Sequence, residues 1–298
     1  MTAAGSSLPG RSALRGGQRW IYRHPRLQLV MLLALPLGAL FLVYFGSLFI
    51  LLANAFWTLD PFTRQVQHEP SLDNFATIIN GSVYRTITLR TVGMAALVTV
   101  TCAVIGFPVA YYIARIASPR LRRWLVVMVL LPLWASYLVK IFAWRAILQQ
   151  QGVLNWILDP FGLEGPGYGD VAVWLVFTYL WLPYMILPIV AGLERIPDSL
   201  LEASADLGAR GGFTFRKVIL PLAFPAVVAG SIFTFSLTMG DFITPSLVSS
   251  TQFLGNVIQR EVGVSGNLPL AAALAIVPIL VMVLYLFVAR RLGAFEAL

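Results

Sequence analysis

Six stretches of this chain are apolar almost without interruption, and polar segments punctuated by Gly and Pro separate them. They are Leu29–Ala53, Thr91–Ala114, Trp124–Val139 with an extension towards Leu148, Val171–Leu193, Leu222–Met239 and Leu268–Ala289. Roughly 20 apolar residues in a helix cross a bilayer core about 30 Å thick. Backbone N–H and C=O groups in lipid find no water, and a helix satisfies them within its own segment. A closed barrel would need short strands of alternating polarity, which these runs do not show. The pattern predicts an all-α, polytopic membrane helix bundle with six transmembrane helices. Residues 29–293 form the membrane domain, and residues 1–28, rich in Gly, Ser and Arg, form a basic tail.

Composition agrees with that solvent. Of 298 residues, 58% are hydrophobic and 11% charged, against about 45–50% apolar and 25% charged in soluble domains. Charge then adds orientation. Arg11, Arg15, Arg19, Arg23 and Arg26 precede the first span; Arg115, Arg120, Arg122 and Arg123 follow the second; Arg195, Arg210, Arg216 and Lys217 follow the fourth; Arg290 and Arg291 follow the sixth. Fifteen of 21 cations thus share one face, which the positive-inside rule makes cytoplasmic, with both termini inside. The net charge of +8 therefore reports topology. A nucleic-acid binder would gather its cations on a folded soluble face, so no nucleic-acid partner is expected. Ala53-Asn54-Ala55 imitates a signal-peptide cleavage site, yet the apolar run before it exceeds the 7–15 residues of an h-region and reads as an uncleaved anchor. Cys102 is the one cysteine and reads as a small packing residue inside the second span.

The loops carry the chemistry. Asn54–Tyr84 and Gln149–Asp170, with their Pro and Gly, read as irregular lids on the outer face. The inner loop 194–221 is different. Pro197-Asp198-Ser199 offers a helix start in which Asp198 or Ser199 caps free N–H groups. Leu200 to Leu207 then make about two turns, Gly208 and Gly211-Gly212 let the chain leave the helix, and Pro221 opens the fifth span. A short helix lying along the membrane surface follows from this.

Several activities are excluded. ATP hydrolysis would require a Gly-rich loop ending in Gly-Lys-Ser/Thr, whereas Lys140 and Lys217, the two lysines, follow Val and Arg. His24 and His68 are far apart and read as surface residues, so no metal site is expected. No nucleophilic triad or carboxylate pair occupies the spans, so no catalytic residue is assigned.

From Glu202 to Pro221, Glu-Ala-Ser-Ala-Asp-Leu-Gly is followed by Val218 and Leu220-Pro221. This resembles the E-A-A-x3-G-x9-I-x-L-P loop of ABC importer permeases, on which an ATPase docks. Ser204 replaces the second Ala and Val218 the Ile. Leu72-Asp-Asn-Phe75, Gly106–Arg115, Leu131–Val139, Gly152-Val-Leu-Asn155 and Gly240–Pro245 are similar to segments of the PotB-type permeases of spermidine/putrescine importers. The resemblance covers most of residues 70–295. It implies the type I ABC importer permease fold in a bacterial inner membrane, with 194–221 as the coupling loop. It also implies a cytoplasmic ABC ATPase dimer that binds ATP and Mg, a second permease subunit as heterodimer partner, and an extracytoplasmic substrate-binding protein. No cofactor is expected in this chain. The coupling residues it implies are Glu202, Ala203, Ser204, Asp206, Gly208, Leu220 and Pro221. Glu202 would pair with a basic groove, and Ala203, Ser204 and Ala205 would permit close approach.

The implied substrate is a polyamine. Relatives of the same broad class carry ferric iron, thiamine, sulfate or opines, and a stand-alone secondary transporter would instead show inverted repeats and broken helices near the midplane. A polyamine path needs carboxylates and aromatic faces. Asp241, beside Gly240 at the end of the fifth span, is the first candidate, either facing the path or capping the break or pairing with Arg260. Tyr137, Trp134 and Tyr184 are aromatic candidates, together with Trp144 and Trp181, unless they form the interfacial belt. Lys140 and Arg145 read as marking the outer end of the third span, snorkelling or pairing with Asp159 or Glu164.

Overall fold

A computed structural model describes residues 25–293. Arg11, Arg15, Arg19, Arg23, His24 and the Arg26 side chain lie outside the described residues. The chain divides into two compact units at Asn54. The first contains α1, Pro25–Asn54, a single helix with Pro36 inside it and the Phe41 ring tilted against Phe45 one turn later, 4.6 Å between centroids.

The second unit begins with a short antiparallel ribbon, β1 Thr58–Leu59 and β2 Val66–Gln67, then α2 Asp73–Asn80. The long helices are α3 Ser82–Tyr111, α7 Asp170–Glu194, α10 Leu220–Gly240 and α13 Leu268–Arg291. Between them lie α4 Pro119–Trp134, α5 Tyr137–Leu148, α6 Val153–Leu158, α8 Asp198–Asp206, α9 Gly211–Thr214, α11 Ile243–Val248 and α12 Leu254–Gly263. Among the described residues five helical segments have the length and apolarity of a span, and α4 with α5 make six if that bent pair is one span.

α7 is the centre of this unit and packs chiefly against α3 and α10. Val176, Phe177, Leu180, Met185, Ile189 and Leu193 fill the core from it. Lipid tails give apolar side chains no reason to cluster, so close backbone approach is what holds helices together. Three glycines permit it. A Cβ on Gly192 would collide with that of Ala226, one on Gly230 would lie 3.2 Å from the Met185 backbone, and one on Gly106 would lie 3.3 Å from Met185 and Ile186.

Two predicted boundaries change. The third span is no continuous helix, because α4 and α5 meet at 92° across Ala135 and Ser136, both in extended conformation. Pro132 withdraws a backbone donor in the last turn of α4, which weakens the helix just before the break. The fifth span starts ten residues before Pro221, at Gly211, so Gly211-Gly212 begin a helix and do not end one. Two π turns interrupt these spans, Tyr112–Ile116 after α3 and Phe215–Ile219 between α9 and α10. The second lies just before Pro221, whose missing N–H leaves the Lys217 carbonyl without its i→i−4 donor. Phe215 stands edge-on to both Phe107 and Tyr111, 5.8 Å from each, so the second turn packs against the last turns of α3.

The loops expected to be irregular contain regular pieces. Asn74 donates to the Ala55 and Trp57 carbonyls at 3.0 and 2.7 Å and fixes the ribbon to α2. Asn155, on α6, donates to the Gln150 carbonyl at 2.8 Å and accepts from the Gly165 N–H at 2.5 Å. One amide side chain therefore folds the second loop back on itself.

Candidate functional site

Two places gather the residues singled out by the sequence. The first is α8. Leu201 packs on the core and Ser204 is buried, while Glu202, Ala203, Ala205, Asp206 and Leu207 are exposed. The helix therefore anchors through one face and presents the other. Its C-terminus is a Schellman motif: the Gly208 N–H bonds the Ala205 carbonyl at 2.8 Å, and the Ala209 N–H bonds that of Ser204 at 3.1 Å. Gly208 has φ +75°, and a Cβ there would meet nothing. Conformation alone thus demands glycine at that position.

Ser204 has a definite task. Its hydroxyl lies 2.8 Å from the Thr214 hydroxyl, closing the turn between α8 and α9. Neither Asp198 nor Ser199 caps the helix; Asp198 is its first residue, and its carboxylate pairs with Arg115 at 2.7 Å. Leu220 and Pro221 are not on the presented face of α8. They begin the regular helix after the second π turn. Sequence reasoning gave no contact role to Leu207, which is 88% exposed, or to Phe213, which is 58% exposed. Both border a recess of about 400 Å³ with Ser204, Gly208, Ala209 and Arg210. Large apolar side chains in a polar, Gly-rich loop were the available signal, since an exposed apolar patch marks a contact surface.

The second place lies where the two interrupted helices meet. Asp241 is in extended conformation between α10 and α11. Its Oδ1 accepts the N–H groups of Ile243 and Thr244 at 2.9 and 3.0 Å, the capping role anticipated as one alternative. Its Oδ2 accepts the Thr244 hydroxyl at 3.2 Å and the Tyr137 hydroxyl. Tyr137 is the first residue of α5, immediately past the right-angle break. Arg260 pairs instead with Glu261, at 3.9 Å. Tyr137 stacks on Trp181 at 6.2 Å, and Trp181 contacts Tyr184 at 6.0 Å. Tyr137, Asp241 and Tyr184 therefore belong to one connected cluster, with Trp181 at its centre. Trp134 does not join it and is 89% exposed. Trp144 contacts Tyr179.

Arg145 places its guanidinium 5.8 Å from the Tyr168 ring, whose hydroxyl bonds the Arg145 carbonyl at 3.1 Å. Of the two alternatives for Arg145, snorkelling or an ion pair with Asp159 or Glu164, the ion pair is replaced by this aromatic contact. Among the described residues no group of three or more His, Cys, Asp or Glu side chains is arranged to hold a metal ion.

Comparison with known proteins gives a consistent result. Residues 104–295 match the family described as the binding-protein-dependent transport system inner membrane component. The inner membrane ABC transporter permease protein YdcU of Escherichia coli K12 is 46% identical over 97% of both chains. The spermidine/putrescine transport system permease protein PotB of Haemophilus influenzae is 33% identical, covering 74% of this chain and 79% of that one. Among solved structures, a bacterial alginate ABC transporter, in complex with an alginate pentasaccharide-bound periplasmic protein, superposes with a TM-score of 0.75. It covers 94% of this chain and 98% of its own at 17% identity. The MetNI methionine ABC transporter in an inward-facing conformation gives 0.57 over 76% of this chain and 99% of its own, at 19% identity.

Proposed function

Because this chain belongs to the binding-protein-dependent inner membrane component family, as a non-enzymatic permease subunit of an ABC importer, we propose that it forms half of a translocation pathway for a polyamine. A separate ATPase drives it through α8. The observation that carries the docking half is the geometry of α8, a nine-residue helix anchored by Leu201 and Ser204 and exposing Glu202, Ala203, Ala205, Asp206 and Leu207. Small residues allow close approach, Glu202 offers charge to a basic groove, and Leu207 offers an apolar contact. Docking at a cytoplasmic ATPase dimer, which binds the ATP and Mg, leaves this chain without a cofactor.

The polyamine reading is supported by the PotB relatives and by the Asp241 cluster. A carboxylate held between two helix breaks has the charge an ammonium group requires, and Tyr137, Trp181 and Tyr184 supply aromatic faces beside it. All of its acceptor positions are engaged by N–H and O–H donors. An arriving ammonium would therefore displace the Tyr137 or Thr244 hydroxyl, and the exchange would let the site release as well as bind. Broken helices beside a polar site serve transporters of several kinds. Here they occur in a chain whose family works with an ATPase.

The second permease is a proposed partner, as is the extracytoplasmic binding protein that would deliver substrate. ATP hydrolysis is measured in proteoliposomes holding this chain, its partner permease and the ATPase, with binding proteins loaded with spermidine, putrescine, a ferric complex, an opine or thiamine. Stimulation by a polyamine-loaded protein alone supports the reading; stimulation by another ligand overturns the substrate and leaves the machine. Glu202→Arg should reduce co-purification of the ATPase, and unchanged association would remove the docking role. Asp241→Asn should lower polyamine uptake by about tenfold with assembly intact, the equivalent of one charge-assisted contact of about 1.4 kcal/mol.

A further inference from the structure

α8 transmits force only if it is fixed to the spans, and the peptide chain joins it to α7 through the three residues 195–197. Leu201 and Ser204 hold the inner face of α8, and an arginine ties its first residue to the spans. Arg115 lies in the first π turn, at the end of α3. One arm of its guanidinium, Nη2, donates to the Leu193 and Ile196 carbonyls, both at 2.6 Å, and the other, Nη1, pairs with Asp198 at 2.7 Å. The Leu193 carbonyl lies in the last turn of α7, that of Ile196 lies in the linker, and Asp198 opens α8. The Arg115 side chain is only 13% exposed.

Arg122, on α4, completes the arrangement. It donates to the Ile113 and Ala114 carbonyls at 3.1 and 2.6 Å and reaches Glu194 at 3.3 Å. The C-terminal carbonyls of a helix have no partner within it, and the wide π turn leaves those of Ile113 and Ala114 accessible to Arg122. Two guanidinium groups thus join the ends of α3, α4 and α7 to the start of α8.

The bonds are unequal. The Asp198 carboxylate is 81% exposed, and exposed ion pairs contribute little. The two carbonyl bonds are sheltered and charge-assisted, which makes them the stronger part. A planar fork reaches three acceptors at once, whereas an ammonium group on a flexible stem does not.

We propose that Arg115 is a positioning residue of the transport cycle: it makes α8 and the adjoining ends of α3 and α7 move as one body, so that displacement of α8 is converted into rearrangement of the spans. This rests on α8 being the ATPase contact. Without the fork, the ATPase still docks and hydrolyses and Leu201 and Ser204 still seat α8, but the start of α8 is free to shift against the ends of α3 and α7 over residues 195–197 and much of the stroke is lost.

The test uses the assembled complex in proteoliposomes, reading ATPase co-purification, hydrolysis rate, and substrate transported per ATP. Arg115→Gln should retain the ATPase and hydrolysis while transport per ATP falls at least fivefold. Arg115→Lys should fall between it and the wild type, and Asp198→Ala should stay within twofold of the wild type. Wild-type transport per ATP in Arg115→Gln would overturn the proposal. If that variant does not assemble, Arg115→Lys decides by the same ratio; loss of the ATPase from both variants also overturns it, because a latch that only transmits leaves docking intact. Failure of the docking reading is seen separately, as unchanged ATPase association in Glu202→Arg.

Discussion

At the scale of single residues, the informative positions are those where one atom too many or too few changes the backbone. Gly208 holds φ +75°, a conformation that costs a residue with a Cβ about 1–2 kcal/mol. Gly208→Ala should therefore fray the end of α8 and raise amide exchange over residues 198–206 by about 5–30-fold. Exchange at buried positions of α7 should stay unchanged, and equal exchange in both segments would count against the local origin of the effect. The sequence marked this glycine correctly because turn chemistry is local. It gave no sign of what Ser204 does, since a serine in place of alanine looks like a change of volume, and its partner Thr214 is found only once the chain turns. The same holds for Asp241. That a carboxylate beside a glycine would cap a break was legible, whereas the Tyr137 hydroxyl that joins it arrives from a helix 104 residues away in sequence.

At the scale of elements, apolar length located the five span-length helices and the α4–α5 pair but said little about continuity. α4 and α5 read as one run because both halves are apolar, and the break between them falls at Ala135-Ser136, two residues that signal nothing alone. Pro132 was the available cue, and prolines inside α7, α10 and α13 show why it was ambiguous: membrane helices absorb proline without breaking. Packing between helices was likewise beyond a periodicity argument, because α7 is apolar on all sides. The glycines decide it. Gly192 meets Ala226 so closely that Gly192→Val must separate α7 from α10, and overpacking of this kind typically costs about 1–3 kcal/mol. Thermal aggregation of the detergent-solubilised chain should begin at lower temperature for Gly192→Val, while Gly38→Val, where a Cβ meets nothing, should match the wild type.

At the scale of the whole molecule, the positive-inside pattern assigns faces that labelling will check. Cys102 is fully buried, so the natural chain provides an unreactive background. In intact cells a membrane-impermeant maleimide should label Glu164→Cys from outside and leave Asp206→Cys untouched until the membrane is opened; the reverse result would invert the topology. The segments that resembled known permeases prove to be the places where a straight helix is interrupted or closely approached: Gly106 at the α3–α7 contact, Leu131–Val139 at the right-angle break, Asn155 at the loop hub, and Gly240–Pro245 at the carboxylate cap. The π turn at Phe215–Ile219 carries this to the length of the chain. A π turn holds one residue more than the α-helix it replaces, so the count between Gly208 and Pro221 contains an insertion that this turn absorbs. A segment of the same length wound as regular helix throughout would rotate everything after it by about 100°, one step of a 3.6-residue helix. A coupling loop transplanted between permeases must therefore be exchanged as an uncut cassette, from Asp198 through Pro221, or the fifth span of the chimera will turn the wrong face to its neighbours.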